Sequence, residues 1–426
     1  MSLLLSYYGD DFTGSTDVME ALASNGINTV LFTRLPTQEQ FAPFADYPAI
    51  GLAGTSRSQP PQWMNEHLPQ VFEWLRSLGA RLCHYKVCST FDSSPRVGSI
   101  GRAIEIAQSV FGQPAVPLVV GAPQLGRYTF AGHLFARYGG DVWRIDRHPV
   151  MSRHPVTPMD EADLRLHLAK QTAQPVHLAS GDLREPGIHL IDVFDAATQM
   201  EAGERLLALP GEAKPFIVGS SGVEYALVQV LARNGEIAGT ADFAPLDPVE
   251  RCLAVSGSVS PTTERQIRLA CANGFTGITA DPLKLARQEV EESAQLTNRA
   301  SHALAGGESV LIHTAMGSAS DKGHELDRIP DGRRRLGRAL GKIAGELVRR
   351  HRLTRLILAG GDSSSHALGE LDIHALTPRL PLPESPGSPV CLAHSADPAY
   401  AGLEIAMKGG QIGRDDYFIR LKQGGP

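Results

Sequence analysis

Short apolar runs and amphipathic stretches alternate along the whole chain. Leu3 to Tyr8 is an apolar run that ends in Gly9-Asp10-Asp11-Phe12-Thr13-Gly14. From Val18 the apolar positions recur at Met19, Leu22 and Ala23, a helical spacing that stops at Asn25-Gly26. Ile27 to Phe32 then reads as a buried strand. Strand, loop, helix and strand make one βαβ unit of a parallel sheet. The second half repeats the pattern. Cys252 to Ser256, Ser309 to Thr314 and Arg355 to Ala359 are strand candidates, and a helix is expected near Thr262 to Ala272. Leu336, Leu340, Ile343, Leu347 and Val348 form an apolar stripe with arginines on the other face. A stretch rich in Gly, Ala and Asp, Asn234 to Asp247, divides the halves. The expected fold class is α/β: two α/β domains, 1–235 and 248–426, each a largely parallel sheet flanked by helices, with the active site in the interdomain cleft.

Composition narrows the function. The chain has 426 residues, 42% of them hydrophobic, with 46 acidic against 40 basic side chains and a formal net charge of −6. That balance argues against a sequence-blind nucleic-acid binder or a polybasic membrane-surface protein. No apolar run reaches the roughly 18 residues of a membrane span, and the N-terminus lacks the basic start and cleavage site of a signal peptide. Five scattered cysteines without a C-x-x-C, and histidines without H-E-x-x-H, speak against a disulfide framework or a built-in transition-metal site. A cytoplasmic location is expected. The 43 glycines never occur as G-x-G, which removes the dinucleotide fingerprint. Gly337-Arg-Ala-Leu-Gly341-Lys342-Ile343 falls one residue short of a P-loop and lies within the amphipathic helix. There is no G-x-S-x-G elbow.

The remaining polar constellations sit at predicted strand ends, where open α/β sheets collect ligands. Asp10 and Asp11 precede Thr13-Gly14-Ser15-Thr16 and a helix start. Two adjacent carboxylates cannot both cap one helix, so a bound cation or a polyhydroxylated ligand would account for the second, as would simple solvation. Lys86, embedded in a probable strand, leads into Val87-Cys88-Ser89-Thr90-Phe91-Asp92-Ser93, one cation followed by hydroxyls and a carboxylate. That mixture suits a hydroxylated carboxylic acid. Arg127, His133, Asp146-Arg147-His148 and Ser152-Arg153-His154 concentrate Arg and His in what reads as a Pro-bounded anion-binding loop. In the second half Ser256-Gly257-Ser258, Gly360-Gly361-Asp362-Ser363 and Gly409-Gly410 are small-residue loops. Such loops let backbone N–H groups approach a phosphate at a helix N-terminus. Each alone is also compatible with an ordinary tight turn.

These motifs, in this order, resemble the four-carbon acid sugar kinases. The resemblance rests on Asp10-Asp11-Phe12-Thr13-Gly14-Ser15-Thr16-Asp17, Lys86 with Cys88-Ser89-Thr90-Phe91-Asp92-Ser93, and His154-Pro155-Val156-Thr157-Pro158-Met159. Ser256-Gly257-Ser258, Gly360-Gly361-Asp362 and Lys408-Gly409-Gly410 extend it over nearly the whole chain. The Lys-Cys-Ser-Thr-Phe-Asp-Ser form is similar to the 3-oxo-tetronate kinase branch, and Asp146-Arg147-His148-Pro149 brings in its relative, 3-oxo-isoapionate kinase. The resemblance implies ATP-dependent phosphorylation of the terminal (C4) hydroxyl of a short oxo sugar acid, with Mg²⁺ as the companion ion. It implies an acid-binding N-terminal domain, with Asp10, Asp11, Thr13, Lys86, Ser89, Asp92, Arg127, Arg153 and His154 as substrate contacts. The C-terminal domain would bind ATP through Ser256, Ser258, Gly360, Gly361, Asp362, Ser363, Gly409 and Gly410. Asp362, Asp10 and Asp11 are the catalytic candidates; no metal ligands follow, and a homodimer is compatible with the reading. This sequence departs from the family where Ser364-Ser365 replaces Ser-Gly and where Lys408-Gly409-Gly410-Gln411 replaces Lys-Ser-Gly-Asn. Two other classes remain open at this point: a non-catalytic sugar-acid sensor and a metal-dependent phosphatase.

Overall fold

A computed structural model describes residues 2–154, 156–179, 183–209, 215–382, 384–385 and 387–425, with the Asp362 side chain outside the description. The chain divides into two compact units, Met1–Ala241 and Asp242–Pro426.

The first unit contributes strands β1 (Leu5–Gly9), β2 (Thr29–Phe32), β3 (Ala49–Ala53), β4 (Leu82–Lys86), β5 (Ala115–Val119), β6 (Arg127–Phe130), β7 (His133–Tyr138), β8 (Asp141–Arg144), β9 (Val176–Leu178), β10 (Gly187–Ile191) and β11 (Phe216–Gly219). Eight of them form a parallel sheet in the order β2-β3-β1-β4-β11-β5-β10-β9. Both faces are covered, so β1 and β4 are buried along their full length, as a parallel sheet requires. From β1 the chain runs outward to β2 and β3, whereas from β4 it runs the other way toward β5. The strand order therefore switches between β1 and β4. The loops that end these two strands carry Asp10 and Lys86.

The helix after β1 begins at Phe12, six residues before the first apolar repeat at Val18. Its first turn is built from small residues, and Gly14, Ser15 and Thr16 are buried although none of them is apolar. The segment expected to be an anion-binding loop is instead largely sheet: β6, β7 and β8 pair antiparallel. Alternating polar and apolar side chains with Gly139-Gly140 at the β7–β8 turn form this hairpin structure, and Gly139 and Gly140 both take positive φ.

The second unit holds β12 (Leu253–Ser256), β13 (Phe275–Thr279), β14 (Ser309–His313), β15 (Arg355–Ala359), β16 (Ala375–Leu380), β17 (Val390–His394) and β18 (Glu404–Lys408). Their order is β13-β14-β12-β15-β18-β17-β16, parallel from β13 to β18 and antiparallel at β17 and β16. Here the switch lies between β12 and β15. Pairing sets Ser256 opposite Ala359, and Ala359 opposite Lys408, so three adjacent strands end at one level. The helix Gly332–His351 buries the predicted stripe, Leu336, Leu340, Ile343, Leu347 and Val348.

Candidate active site

In the first unit the strand-end loops assemble a charged cluster around Gly14. Asp11 is the N-cap of the helix Phe12–Ala23: its Oδ1 accepts the Gly14 N–H at 2.7 Å. Asp10 is not solvated. It is 4% exposed, and its carboxylate takes a two-pronged contact from Arg57, with Nη2 to Oδ1 at 2.7 Å and Nε to Oδ2 at 3.2 Å. The same guanidinium reaches Asp11 through Nη1 at 2.9 Å. The cation that two adjacent aspartates call for is thus supplied by the protein. Sequence reading missed Arg57; the available signal was its place in the Gly54-Thr55-Ser56 loop that ends β3. That loop is held by Arg57 N–H to the Asp10 carbonyl at 3.0 Å and by Gly98, where any Cβ would lie 2.4 Å from the Arg57 carbonyl oxygen.

Burial pushes the Asp10 carboxyl up to about 6 against the opposing pull of Arg57. Burial works against charge on Arg57 as well, but Asp10 and then Asp11 raise it well above its ordinary value. Lys86, 2% exposed, donates to the Val87 carbonyl at 2.9 Å and lies 3.8 Å from Asp17 Oδ2. A Cβ on Gly14 would stand 2.5 Å from Asp11 Oδ1, 3.0 Å from Lys86 Nζ and 3.5 Å from Arg57 Nη2. A side chain there would displace Asp11 Oδ1 and crowd Lys86 Nζ, while Arg57 stands at ordinary contact distance.

The Lys86 strand leads into a turn stabilised by a chain of short contacts. Cys88 Sγ meets Thr90 Oγ1 at 2.9 Å, and Thr90 donates to Asp92 Oδ1 at 2.6 Å. Phe91, fully buried, takes φ 57° to make that turn. Burial, then Asp92, raises the Cys88 thiol while Arg57 and Lys86 oppose the shift, which places all four groups in one electrostatic neighbourhood. Ser89 is half-buried beside them, and Thr13 sits on the first helical turn with its carbonyl accepting from Thr16.

Arg127 opens β6. Its Nη1 donates to the carbonyls of Leu125 and Gly126 at 3.0 and 3.3 Å, and its buried Nε has no partner among the described residues. Burial lowers this guanidinium, with Cys88 the leading group opposing the shift. Among the described residues no carboxylate pairs with it. A guanidinium with no carboxylate partner has the chemistry to take an incoming anion. His148 Nδ1 accepts from Val150 N and Met151 N, so its imidazole is neutral, and burial followed by Arg127 keeps it so. Arg153 is exposed in a short turn, and His154 Nδ1 accepts from the Thr157 N–H. Among the described residues neither bonds to the cluster, and Pro155 lies outside the description.

The second unit brings all three small-residue loops together. Gly257 N donates to the Ala359 carbonyl and Gly360 N to the Lys408 carbonyl, both at 2.9 Å. A Cβ on Gly257 would lie 2.4 Å from Ser363 Oγ, one on Gly360 would lie 3.0 Å from Ser258 N, and one on Gly410 would lie 2.8 Å from Ser258 Oγ. Ser256, Ser258 and Ser260 form a ladder in which each hydroxyl accepts the N–H two residues on, at 3.2 to 3.3 Å. The helix Pro261–Ala272 starts from that ladder. Gly361 opens the helix Gly361–Leu368, so Asp362 and Ser363 occupy its first turn. Gly360 adopts φ 117°, open to glycine alone. Two helix N-termini and a glycine-rich strand end meet here, an arrangement whose backbone N–H groups and dipoles suit an anion. Sequence reading missed what holds the last loop: Gln266 Nε2 donates to three carbonyls, Ile412, Gly413 and Arg414, and Thr263 Oγ1 donates to Gly410.

Comparison with known proteins agrees with this division. Residues 5–227 match the family model "Sugar-binding N-terminal domain", and residues 253–418 match "Nucleotide-binding C-terminal domain". The chain is 44% identical to a 3-oxo-isoapionate kinase of Paraburkholderia graminis, over 99% of this chain and 94% of the relative. It is 30% identical to a 3-oxo-tetronate kinase of Cupriavidus necator, over 97% and 95%. Among solved structures, one from Salmonella typhimurium LT2 covers both chains fully with a TM-score of 0.77 at 22% identity. Haemophilus influenzae protein HI1011 has a TM-score of 0.70, also at 22% identity, over 97% of this chain and 98% of that one. These two share the fold. By its two matched domains and its full-length relatives, the chain belongs to the four-carbon acid sugar kinase family.

Proposed function

We propose that the protein uses ATP to phosphorylate the terminal hydroxyl of 3-oxo-isoapionate in preference to a linear 3-oxo-tetronate. ATP-dependent sugar acid kinase activity follows from the full-length kinase relatives. The branched acid is favoured by 44% identity to a 3-oxo-isoapionate kinase against 30% for a 3-oxo-tetronate kinase. The observation that carries the site reading is Arg127, a buried guanidinium held by backbone carbonyls with no carboxylate partner among the described residues.

In this reading Arg127 receives the substrate carboxylate. Lys86 and the remaining lone pairs of Asp10 and Asp11 orient the hydroxyls, with Thr13, Ser89 and Asp92 lining the same group. Arg153 and His154 are proposed as outer contacts only. ATP phosphates lie against Ser256, Ser258, Gly360, Gly361, Ser363, Gly409 and Gly410. Phosphoryl transfer requires in-line placement, charge neutralisation and an acceptor for the hydroxyl proton. The proton acceptor is proposed to be Asp362. Asp362→Asn should then lower kcat by orders of magnitude at unchanged KM; near-normal kcat would pass the role to Asp10, whose carboxyl at about 6 also suits a base. Among the described residues no group of three or more His, Cys, Asp or Glu is placed to hold a metal. Mg²⁺ is proposed to enter with ATP as the companion ion of its phosphates.

The test is initial-rate measurement with ATP, Mg²⁺ and a panel of 3-oxo-isoapionate and linear 3-oxo-tetronates. ADP release should depend on the acid, with the highest kcat/KM for 3-oxo-isoapionate. A higher kcat/KM for a linear acid would overturn the substrate assignment, and binding without ADP release would overturn the enzymatic one.

A further inference from the structure

Lys408 ends β18 at the level where Ser256 and Ala359 end their strands. It is 1% exposed, among the largest fully buried side chains of the molecule. Its ammonium donates to Thr263 Oγ1 at 3.0 Å and to the Gly409 carbonyl at 2.9 Å, two neutral acceptors for three N–H groups. The Tyr417 ring lies 5.9 Å away. Charged groups of the surrounding elements are engaged elsewhere. Glu264, on the helix that provides Thr263, binds Arg268; Asp415 binds Arg265; Asp416 faces Arg414. Arg420 binds Glu384, and Lys422 stands over Phe275. The helix Gly361–Leu368 carries Asp362 and His366; no described contact joins His366 to Lys408. Among the described residues no carboxylate lies within ion-pair distance of Nζ. A buried lysine without a counter-charge is expensive to keep charged. Burial accordingly pushes it down to about 7.

We propose that Lys408 is a positioning residue whose missing counter-ion is the nucleotide's own phosphate, so that nucleotide binding charges the lysine and clamps the Gly409-Gly410 loop. The proposal rests on the nucleotide reading of the second unit. Its geometry is specific. Lys408 Nζ and the Gly410 carbonyl share Thr263 Oγ1, and Gly410 packs against Ser258. A phosphate seated on Ser258, Gly360 and Gly410 therefore meets the same short network that holds the ammonium. The departure from the family's Lys-Ser-Gly-Asn removes a hydroxyl at position 409, next to the lysine.

Charging Lys408 on binding takes up a proton. With a free-state value of about 7, roughly nine-tenths of the side chains are neutral at pH 8. ADP phosphates are already ionised there, so binding should absorb about 0.9 proton per site. Calorimetric titration of the full chain with ADP at pH 8, in buffers of different ionisation enthalpy, measures this directly. ADP affinity should also weaken nearly tenfold from pH 8 to pH 9. Lys408→Met should bind ADP weakly and without proton uptake. Lys408→Arg, charged at every pH, should bind ADP with no uptake and with affinity independent of pH, and it keeps the test decisive if the methionine variant does not fold. Uptake below about 0.2 proton in the wild type, or uptake that persists in either variant, would overturn the proposal while leaving the nucleotide site intact. Failure of the wild type to bind ADP at all would overturn both.

Discussion

Replacing Gly14 by alanine separates the helix from the site it supports. The added methyl would stand 2.5 Å from Asp11 Oδ1 and 3.0 Å from Lys86 Nζ. The carboxylate must retreat by roughly 1 Å to reach ordinary contact, which breaks the 2.7 Å cap from Gly14 N to Asp11. Loss of an N-cap costs about 1 kcal/mol. Alanine in place of a helical glycine returns up to about 1 kcal/mol. The two nearly cancel, so Tm should move by no more than about 4 °C. Activity has no such compensation. Asp11 and Lys86 are displaced together, with Arg57 next to them, and a shift of about 1 Å can cost about 100-fold. The expected signature is a folded enzyme with kcat/KM for the acid down about 100-fold and KM for ATP unchanged. Thermal melting and initial rates with each substrate varied in turn provide the assay. Unchanged kcat/KM for the acid would refute the convergence on Gly14, and a collapse in Tm would show that the cap outweighs helix propensity.

Other perturbations test the remaining parts. Asp10 carries its proton below about 6, so kcat/KM for the acid should fall tenfold per unit as pH drops through that value, and Asp10→Asn should remove this limb; a limb that survives in the variant assigns it elsewhere. Arg127→Met removes a charge-assisted contact of about 2–3 kcal/mol and should raise KM for the acid about 30- to 160-fold with Tm little changed, because no described carboxylate is orphaned by the loss; an unchanged KM removes Arg127 as the carboxylate receptor. Gly360→Ala forces φ 117° on a side chain, at about 1–3 kcal/mol, and should weaken ATP binding while leaving KM for the acid unaltered, which steady-state titration of each substrate will show.

Legibility in the sequence followed the range of the interactions. The runs ending at Tyr8, Ser256 and Ala359 are local β signals, and each lies on a buried parallel strand. The Gly332–His351 stripe is equally local and faces the core. Helix starts were harder. Phe12 begins a helix whose first turn carries Thr13, Gly14, Ser15 and Thr16, so apolar periodicity cannot mark it. The β6–β8 sheet was hidden because its faces carry arginines and histidines that read as loop. Arg57 was invisible for a different reason: its partners are 46 and 47 residues away, and only the pairing of β3 with β1 brings them together. Lys86 and the Asp pair were legible because they belong to one strand end each. The same holds for the three small-residue loops, but their convergence is a matter of sheet order, which no single segment contains.

That sheet order makes the second unit a ruler. Neighbouring strands stand about 4.8 Å apart, and Ser256, Ala359 and Lys408 are graduations on three of them. A ruler of this kind cannot be stretched by substitutions in its loops, and sliding any strand by one residue would turn its whole inner face outward. The first unit is different, since Arg127 rides on a small antiparallel sheet that is not part of the parallel ladder. Hairpins of that kind can lengthen, tilt or lose a residue without disturbing the register beneath them. If Arg127 takes the acid as proposed, adaptation to a longer or more branched acid should accumulate around β6–β8, while the spacing of the small-residue loops stays constant.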